Sequence, residues 1–171
     1  MNWENIKVLT DLILNNYPKA YAEIKGSPQY PDIEGGVFFY ETEIGDGKKG
    51  TYIVTEITGL PYEEGECVQP FLGYHIHAGR FCKGDRMDPF KESEGHFNPK
   101  NCPHPAHEGD LPPLLNNRGT AVSVVWDTHF KLSDIVGRTI IVHSMADDFR
   151  TQPAGDSGMK IACGKIRWYH M

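Results

Sequence analysis

Along the first sixteen residues the apolar positions fall at helical spacing. Trp3, Ile6, Leu9, Leu12 and Ile13 recur every three or four residues, and Pro18 stops the run. The pattern predicts a short amphipathic helix over 3–16, suited to covering part of a sheet and less suited to docking a partner. Beyond it the period changes. Segments 20–26, 36–44 and 51–59 are rich in β-branched and aromatic residues and read as strands. Gly35-Gly36 and Gly45-Asp46-Gly47 punctuate them. Further strands are expected at 72–77, 120–127, 138–143 and 160–168, with only weak helical patterns after residue 16. Short strands joined by glycine turns define an all-β sandwich or barrel. No internal repeat or linker divides the chain, so one domain over 1–171 is expected, with 1–17 as a helical extension.

The stretch 78–118 breaks this pattern. Pro89, Pro99, Pro103, Pro105, Pro112 and Pro113 lie in it, and no strand is expected there. Loops this long in a compact domain usually carry function.

Composition narrows the classes. The chain has 171 residues, 39% hydrophobic and 23% charged, enough for one sizeable core. No apolar run approaches the roughly 20 residues that span a bilayer, so no membrane partner is expected. The formal net charge is −6 with no basic block, which argues against nucleic acid as a partner. Glu4 and Asp11 interrupt the N-terminal apolar positions, unlike a secretory signal, so a cytoplasmic location is expected unless a signal has been removed. Four cysteines are too few for a disulfide-built scaffold and leave one or two bridges open.

The candidate chemistry lies in the histidines. His75 and His77 occupy positions i and i+2 of a predicted strand, on one face, where two imidazoles can converge on a metal; alone this is a weak signal. Residues 96–110 then supply His96, His104, His107 and Asp110, with Cys102 among them, in a proline-rich loop. Imidazole and carboxylate in such density suit Zn²⁺. His143 ends an apolar strand, where a lone histidine is most often a core residue, and Asp147 follows where it could orient metal-bound imidazoles. Six histidines and Asp110 make seven ligands. Two four-coordinate metals need eight positions, so either one residue bridges both ions or one position stays open.

The motifs GYHIH (73–77), GHFNP (95–99), HEGDL (107–111), GRTIIVHSMADD (137–148) and ACGKI (162–166) resemble those of the copper–zinc superoxide dismutases. The resemblance spans about residues 18–167. It implies an all-β, eight-stranded Greek-key β-barrel with long metal-binding loops. It implies copper, cycling between Cu(II) and Cu(I), on His75, His77, His96 and His143. It implies Zn²⁺ on His96, His104, His107 and Asp110, with His96 as the bridging imidazolate and proton carrier. Asp147 would hydrogen-bond one copper ligand and one zinc ligand, and Cys82 and Cys163 would form the intrachain disulfide. The implied substrate is superoxide, converted to dioxygen and hydrogen peroxide.

The sequence also departs from the family. Lys160 stands where the family has an arginine, and it is expected to attract the anion while positioning it less rigidly. Arg150, and more weakly Arg80, are further candidates for local positive charge. The His104–His107 spacing is short, which bears on zinc affinity. The stretch between Cys82 and His96 is long, so the family's assembly does not carry over and a homodimer stays open. Cys67 and Cys102 are expected as free thiols, as a second disulfide, or, for Cys102, as a zinc ligand. His129 and His170 are expected to be exposed and ordinary. Two rival functions remain: a copper store or carrier without turnover, and a zinc hydrolase or lyase built on His75 and His77, which would leave the 104–110 cluster without purpose.

Overall fold

The computed structural model describes residues 3–44 and 47–170; Gly45 and Asp46 of the expected turn lie outside them. Helix α1 (Trp3–Asn15) packs beside strand β2 (Glu34–Ile44). Its Leu9, Leu12 and Ile13 are half-buried and Leu14 is exposed, the one-sided burial expected of an amphipathic helix.

The main sheet runs β5 (Tyr74–His77), β8 (Thr139–His143), β9 (Lys160–Lys165), β1 (Ala20–Gly26), β2, β3 (Lys48–Thr58) and β7 (Ala121–Asp127), all antiparallel, with β10 (Arg167–Trp168) also on β1. Strands β4 (Phe71–Leu72) and β6 (Leu114–Leu115) form a second, two-stranded ladder. β4 and β5 are one extended segment interrupted at Gly73. Its first half pairs with β6 and its second with β8, and β6 lies beside β7. Counting that segment once and setting β10 aside leaves the eight strands of the expected Greek-key barrel.

Three details differ from the sequence expectation. The expected 72–77 strand divides at Gly73, where a Cβ would stand 2.8 Å from the Ser157 Cβ. The expected 160–168 strand divides at Ile166. Strand β6 and a short helix α2 (Leu132–Ile135) were not expected: β6 is only two residues long and follows Pro112-Pro113, and α2 is a single turn. Neither is long enough to establish a period.

The core collects the inward residues of every strand except β10, whose two residues are exposed. Ala20, Ala22 and Ile24 come from β1, Val37 and Phe39 from β2, Ile53 and Ile57 from β3, Tyr74 and Ile76 from β5, and Ile140 and Val142 from β8. Each large apolar side chain buried here contributes roughly 1.5–3 kcal/mol. β1 alternates buried and exposed positions, whereas β5 and β8 are buried on both faces. Their second face lies under the loop layer, and on β5 that face carries His75 and His77. Period-two geometry thus places hydrophobic core on one side of β5 and ionisable chemistry on the other.

Candidate metal centre

Strand β5 is the spine of the site. On one edge it pairs with β8, and the His143 N–H donates to Gly73 O at 2.8 Å, which sets His143 beside His75 and His77. On the other edge it binds the loop. His77 bridges to His96 and His75 to Asp110. Phe97 N–H donates to Ile76 O and Ile76 N–H to Gly109 O, each at 2.8 Å. Gly109 has to be glycine at this approach, because a Cβ would lie 2.3 Å from Ile76 O. A segment without repeating secondary structure is therefore fixed by backbone bonds to a buried strand.

Two clusters result. The ligand atoms of His75, His77, His96 and His143 lie within 4.8 Å of one another, and so do those of His96, His104, His107 and Asp110. All six histidines are buried. His96 belongs to both clusters and stacks on His75 with ring centroids 3.9 Å apart.

The second nitrogen of each ring determines what the first presents. His75 Nε2 lies 2.7 Å from Asp147 Oδ2 and His104 Nε2 2.9 Å from Asp147 Oδ1. His77 Nδ1 lies 2.8 Å from Glu94 O, and His143 Nδ1 3.4 Å from Gly158 O. Carboxylate and carbonyl oxygens only accept, so these nitrogens carry the protons and the opposite ones present lone pairs. For two of these rings burial first, then the charges of neighbouring imidazoles, disfavour protonation: His77 is held well below its ordinary value and His143 is pushed down to about 3. For His75, burial outweighs the opposing pull of Asp147.

These lone pairs meet no hydrogen. His75 Nδ1 and His96 Nε2 are buried without a partner. His77 Nε2 and His143 Nε2 face each other at 3.2 Å. His104 Nδ1 stands 3.0 Å from Asp110 Oδ2 without hydrogen-bond geometry. On the other side, His96 Nδ1 is 2.7 Å from Asp110 Oδ1, and His107 Nδ1 is 3.2 Å from that oxygen. Converging lone pairs in a buried pocket repel unless a cation sits among them. The donor sets, four imidazoles in one cluster and three imidazoles with a carboxylate in the other, fit copper and zinc respectively.

Both aspartates favour the ionised form. For Asp110 burial acts upward, but the His96 hydrogen bond and the His107 N–H outweigh it. Asp147 lies lower still, as His75, the Phe149 N–H and His104 together overcome its burial.

A cleft of about 360 Å³ reaches the first cluster, lined by His77, His96, His143, Pro153, Gly158 and Lys160 among others. Lys160 lines this cleft, but its ammonium is not free. It donates to Asp88 Oδ2 at 3.0 Å and to Phe90 O at 3.2 Å. Arg80 and Arg150 are exposed and do not line the cleft. Cys82 and Cys163 form the expected disulfide; Cys67 and Cys102 are free, and Cys102 joins neither cluster. His129 and His170 are exposed.

Sequence reasoning missed three supporting residues. Gln152 clamps the His104 backbone, accepting from its N–H at 3.0 Å and donating to its carbonyl at 2.7 Å. The Glu94 carbonyl fixes the His77 tautomer. Gly155, at φ +68°, lets the chain pass where a Cβ would lie 2.0 Å from Asp147 Oδ1. None carries a ligand motif; the glycine alone left a signal, as one of many.

A Greek-key barrel with a four-histidine cluster and a three-histidine, one-aspartate cluster sharing one imidazole defines a protein with two adjoining candidate metal sites. The copper/zinc superoxide dismutase (SODC) family model matches residues 33–166, and the chain belongs to that family. It is 33% identical over 181 residues to a superoxide dismutase [Cu-Zn] of Brucella abortus, covering 95% of this chain and 99% of the relative. It is 29% identical over 160 residues to superoxide dismutase [Cu-Zn] 2 of Aquifex aeolicus, covering 85% and 88%. Among solved structures, the Cu/Zn superoxide dismutase from Brucella abortus superposes with TM-score 0.67 at 25% identity, covering 85% of this chain and 98% of that one. A mutant of a SOD-like protein from Bacillus subtilis superposes with TM-score 0.65 at 27% identity, covering 86% and 97%.

Proposed function

We propose that this chain is a superoxide dismutase, turning two superoxide anions and two protons into one dioxygen and one hydrogen peroxide. The observation that carries the reading is His96, which belongs to both clusters and has its Nδ1 beside Asp110 and its Nε2 buried without a partner. Bound on His75, His77, His96 and His143, copper would supply a one-electron couple between Cu(II) and Cu(I), while zinc on His96, His104, His107 and Asp110 would supply a fixed charge beside the shared ring.

The chain's own groups do the rest. His96 Nε2, buried and without a partner, is the atom that takes up a proton and hands it to the departing peroxide. Asp110 holds the ring from its Nδ1 side, so Nε2 returns to one position after each transfer. Glu94 O and Asp147 keep the His77 and His75 lone pairs directed inward. The cleft reaches this cluster from solvent, and Lys160 is the cationic side chain among its lining residues.

A second reading, a copper store or carrier without turnover, is favoured by one observation: the attracting lysine is held in an ion pair. Metal analysis of the purified protein with a superoxide-consumption assay separates the two. One copper and one zinc per chain with rapid consumption supports the dismutase. Bound copper with consumption no faster than free buffer supports the store. Zinc alone filling the His75 cluster would overturn both.

A further inference from the structure

Lys160 and Asp88 come from distant parts of the chain. Lys160 opens β9; Asp88 lies in the long stretch after Cys82. Two features hold that stretch against β9. The disulfide ties Cys82 to Cys163 of β9, and Phe90 packs in a buried cluster with Ile141 and both cysteines. Asp88 is itself set by backbone: its Oδ1 accepts the Phe90 N–H at 3.1 Å and its own N–H donates to Asp85 Oδ1 at 3.0 Å. Only Oδ2 remains, and it lies 3.0 Å from Lys160 Nζ.

The pair is not an ordinary surface pair. The Lys160 side chain is 16% exposed and that of Asp88 38%. An exposed pair of flexible side chains costs entropy to form and is readily screened. Here the carboxylate is pre-positioned and the ammonium half enclosed. An ammonium has three donors; Asp88 Oδ2 and the Phe90 carbonyl occupy two, leaving one for an anion in the cleft. The pair as a whole is neutral, so an approaching anion meets a dipole rather than a full positive charge.

We propose that Asp88 is a positioning residue that restrains Lys160, lowering the cleft's attraction for small anions and fixing the ammonium at its wall. The inference rests on the dismutase reading for its substrate, but the charge relationship holds for any small anion. Asp88 touches no candidate ligand and acts only through the lysine.

The test uses Asp88→Asn, which keeps an Oδ1 acceptor for the Phe90 N–H, and Lys160→Gln, alone and combined. Azide is titrated into the copper- and zinc-loaded proteins by absorbance, across a salt series. Removing the carboxylate is expected to tighten azide about threefold or more at low salt and to steepen the salt dependence. In the Lys160→Gln background the same change should have a clearly smaller effect. In metal-free protein, acylation of Lys160, read by peptide mass spectrometry, should accelerate in Asp88→Asn. Unchanged azide affinity and salt slope, or an equal gain without the lysine, would overturn the proposal. Unchanged Lys160 labelling would show that the pair does not restrain the amine and would overturn it too. If the loaded wild-type protein consumed no superoxide, the dismutase reading would fail, while the azide and labelling results would still decide the role of Asp88.

Discussion

His75 and Asp147 meet in a contact almost wholly closed to solvent, with Nε2 2.7 Å from Oδ2. The other Asp147 oxygen lies 2.9 Å from His104, a member of the second cluster. One carboxylate therefore fixes the tautomer of a ring in each cluster. Replacing it with asparagine leaves one oxygen and puts an N–H₂ group where an acceptor stood, so one ring loses its partner or flips its proton. Asp147→Asn is expected to weaken metal retention about 10–100-fold, read by chelator competition for copper and zinc separately. Retention equal to wild type at both sites would show that the bridge does not orient the ligands.

Gly155 makes that bridge possible. At φ +68° its backbone passes so close that a Cβ would lie 2.0 Å from Asp147 Oδ1 and 2.7 Å from His104 Nε2. An alanine would have to displace the carboxylate, the ring or the loop, and would itself sit in a backbone region costly for a side chain. Gly155→Ala should lower stability by about 1–3 kcal/mol and zinc retention with it, measured by denaturant unfolding and chelator competition. A loss of stability with metal retention intact would place the strain in the loop alone.

Six of the seven candidate ligands were legible in the sequence because they sit in short patterns with a physical reason, whereas His143, a lone histidine ending an apolar strand, was assigned by the family resemblance. His75 and His77 share a strand face, and His96, His104, His107 and Asp110 crowd one proline-rich loop. The sharing of His96 was not derivable from the count, since an open position fitted equally; the family resemblance supplied it, and the clusters share that residue in space. Gln152, Glu94 and Asp88 stayed hidden for one reason. They act through backbone groups or through partners 17 to 72 residues away, and no local pattern reports such pairings. Lys160 was found but its state was not, because the ion pair depends on how the Cys82 loop folds back. Strand β6 escaped because two residues cannot display a period.

Acid should destabilise the metal-free protein before it reaches the ordinary carboxylate range. Burial and neighbouring imidazole charge push His143 from 6.5 down to about 3. Between those values the unfolded chain binds a proton that the folded chain excludes, so stability present above about pH 6.5 is lost as the pH falls. His75 and His77 shift in the same direction. Each such histidine contributes a slope of about 1.4 kcal/mol per pH unit where only the unfolded form is charged. Asp147, depressed in the folded state, adds a loss at lower pH. Thermal unfolding of metal-free protein at pH 7, 6 and 5 should show a falling midpoint; a flat profile would mean that these rings are hydrated or protonated in the folded state.

The Cys82–Cys163 bond joins residues 81 positions apart in sequence and anchors the segment that carries Asp88 and Phe90. Replacing both cysteines with serine should lower stability by about 2–5 kcal/mol, since the unfolded chain regains the freedom the cross-link removes. The segment is not held by that bond alone. Gly79 N–H donates to Ser93 O at 2.8 Å and Glu92 N–H to Lys83 O at 2.9 Å, so its ends should stay in place while its tip loosens. The tip supplies both acceptors of Lys160. None of the seven candidate ligands belongs to it. The double variant should therefore unfold at lower denaturant, keep both metals at pH 7, and show faster acylation of Lys160 than wild type. If metal retention fell in step with stability, the disulfide would be supporting the ligand loop as well as the lysine, and the division of labour between the two loops would be wrong.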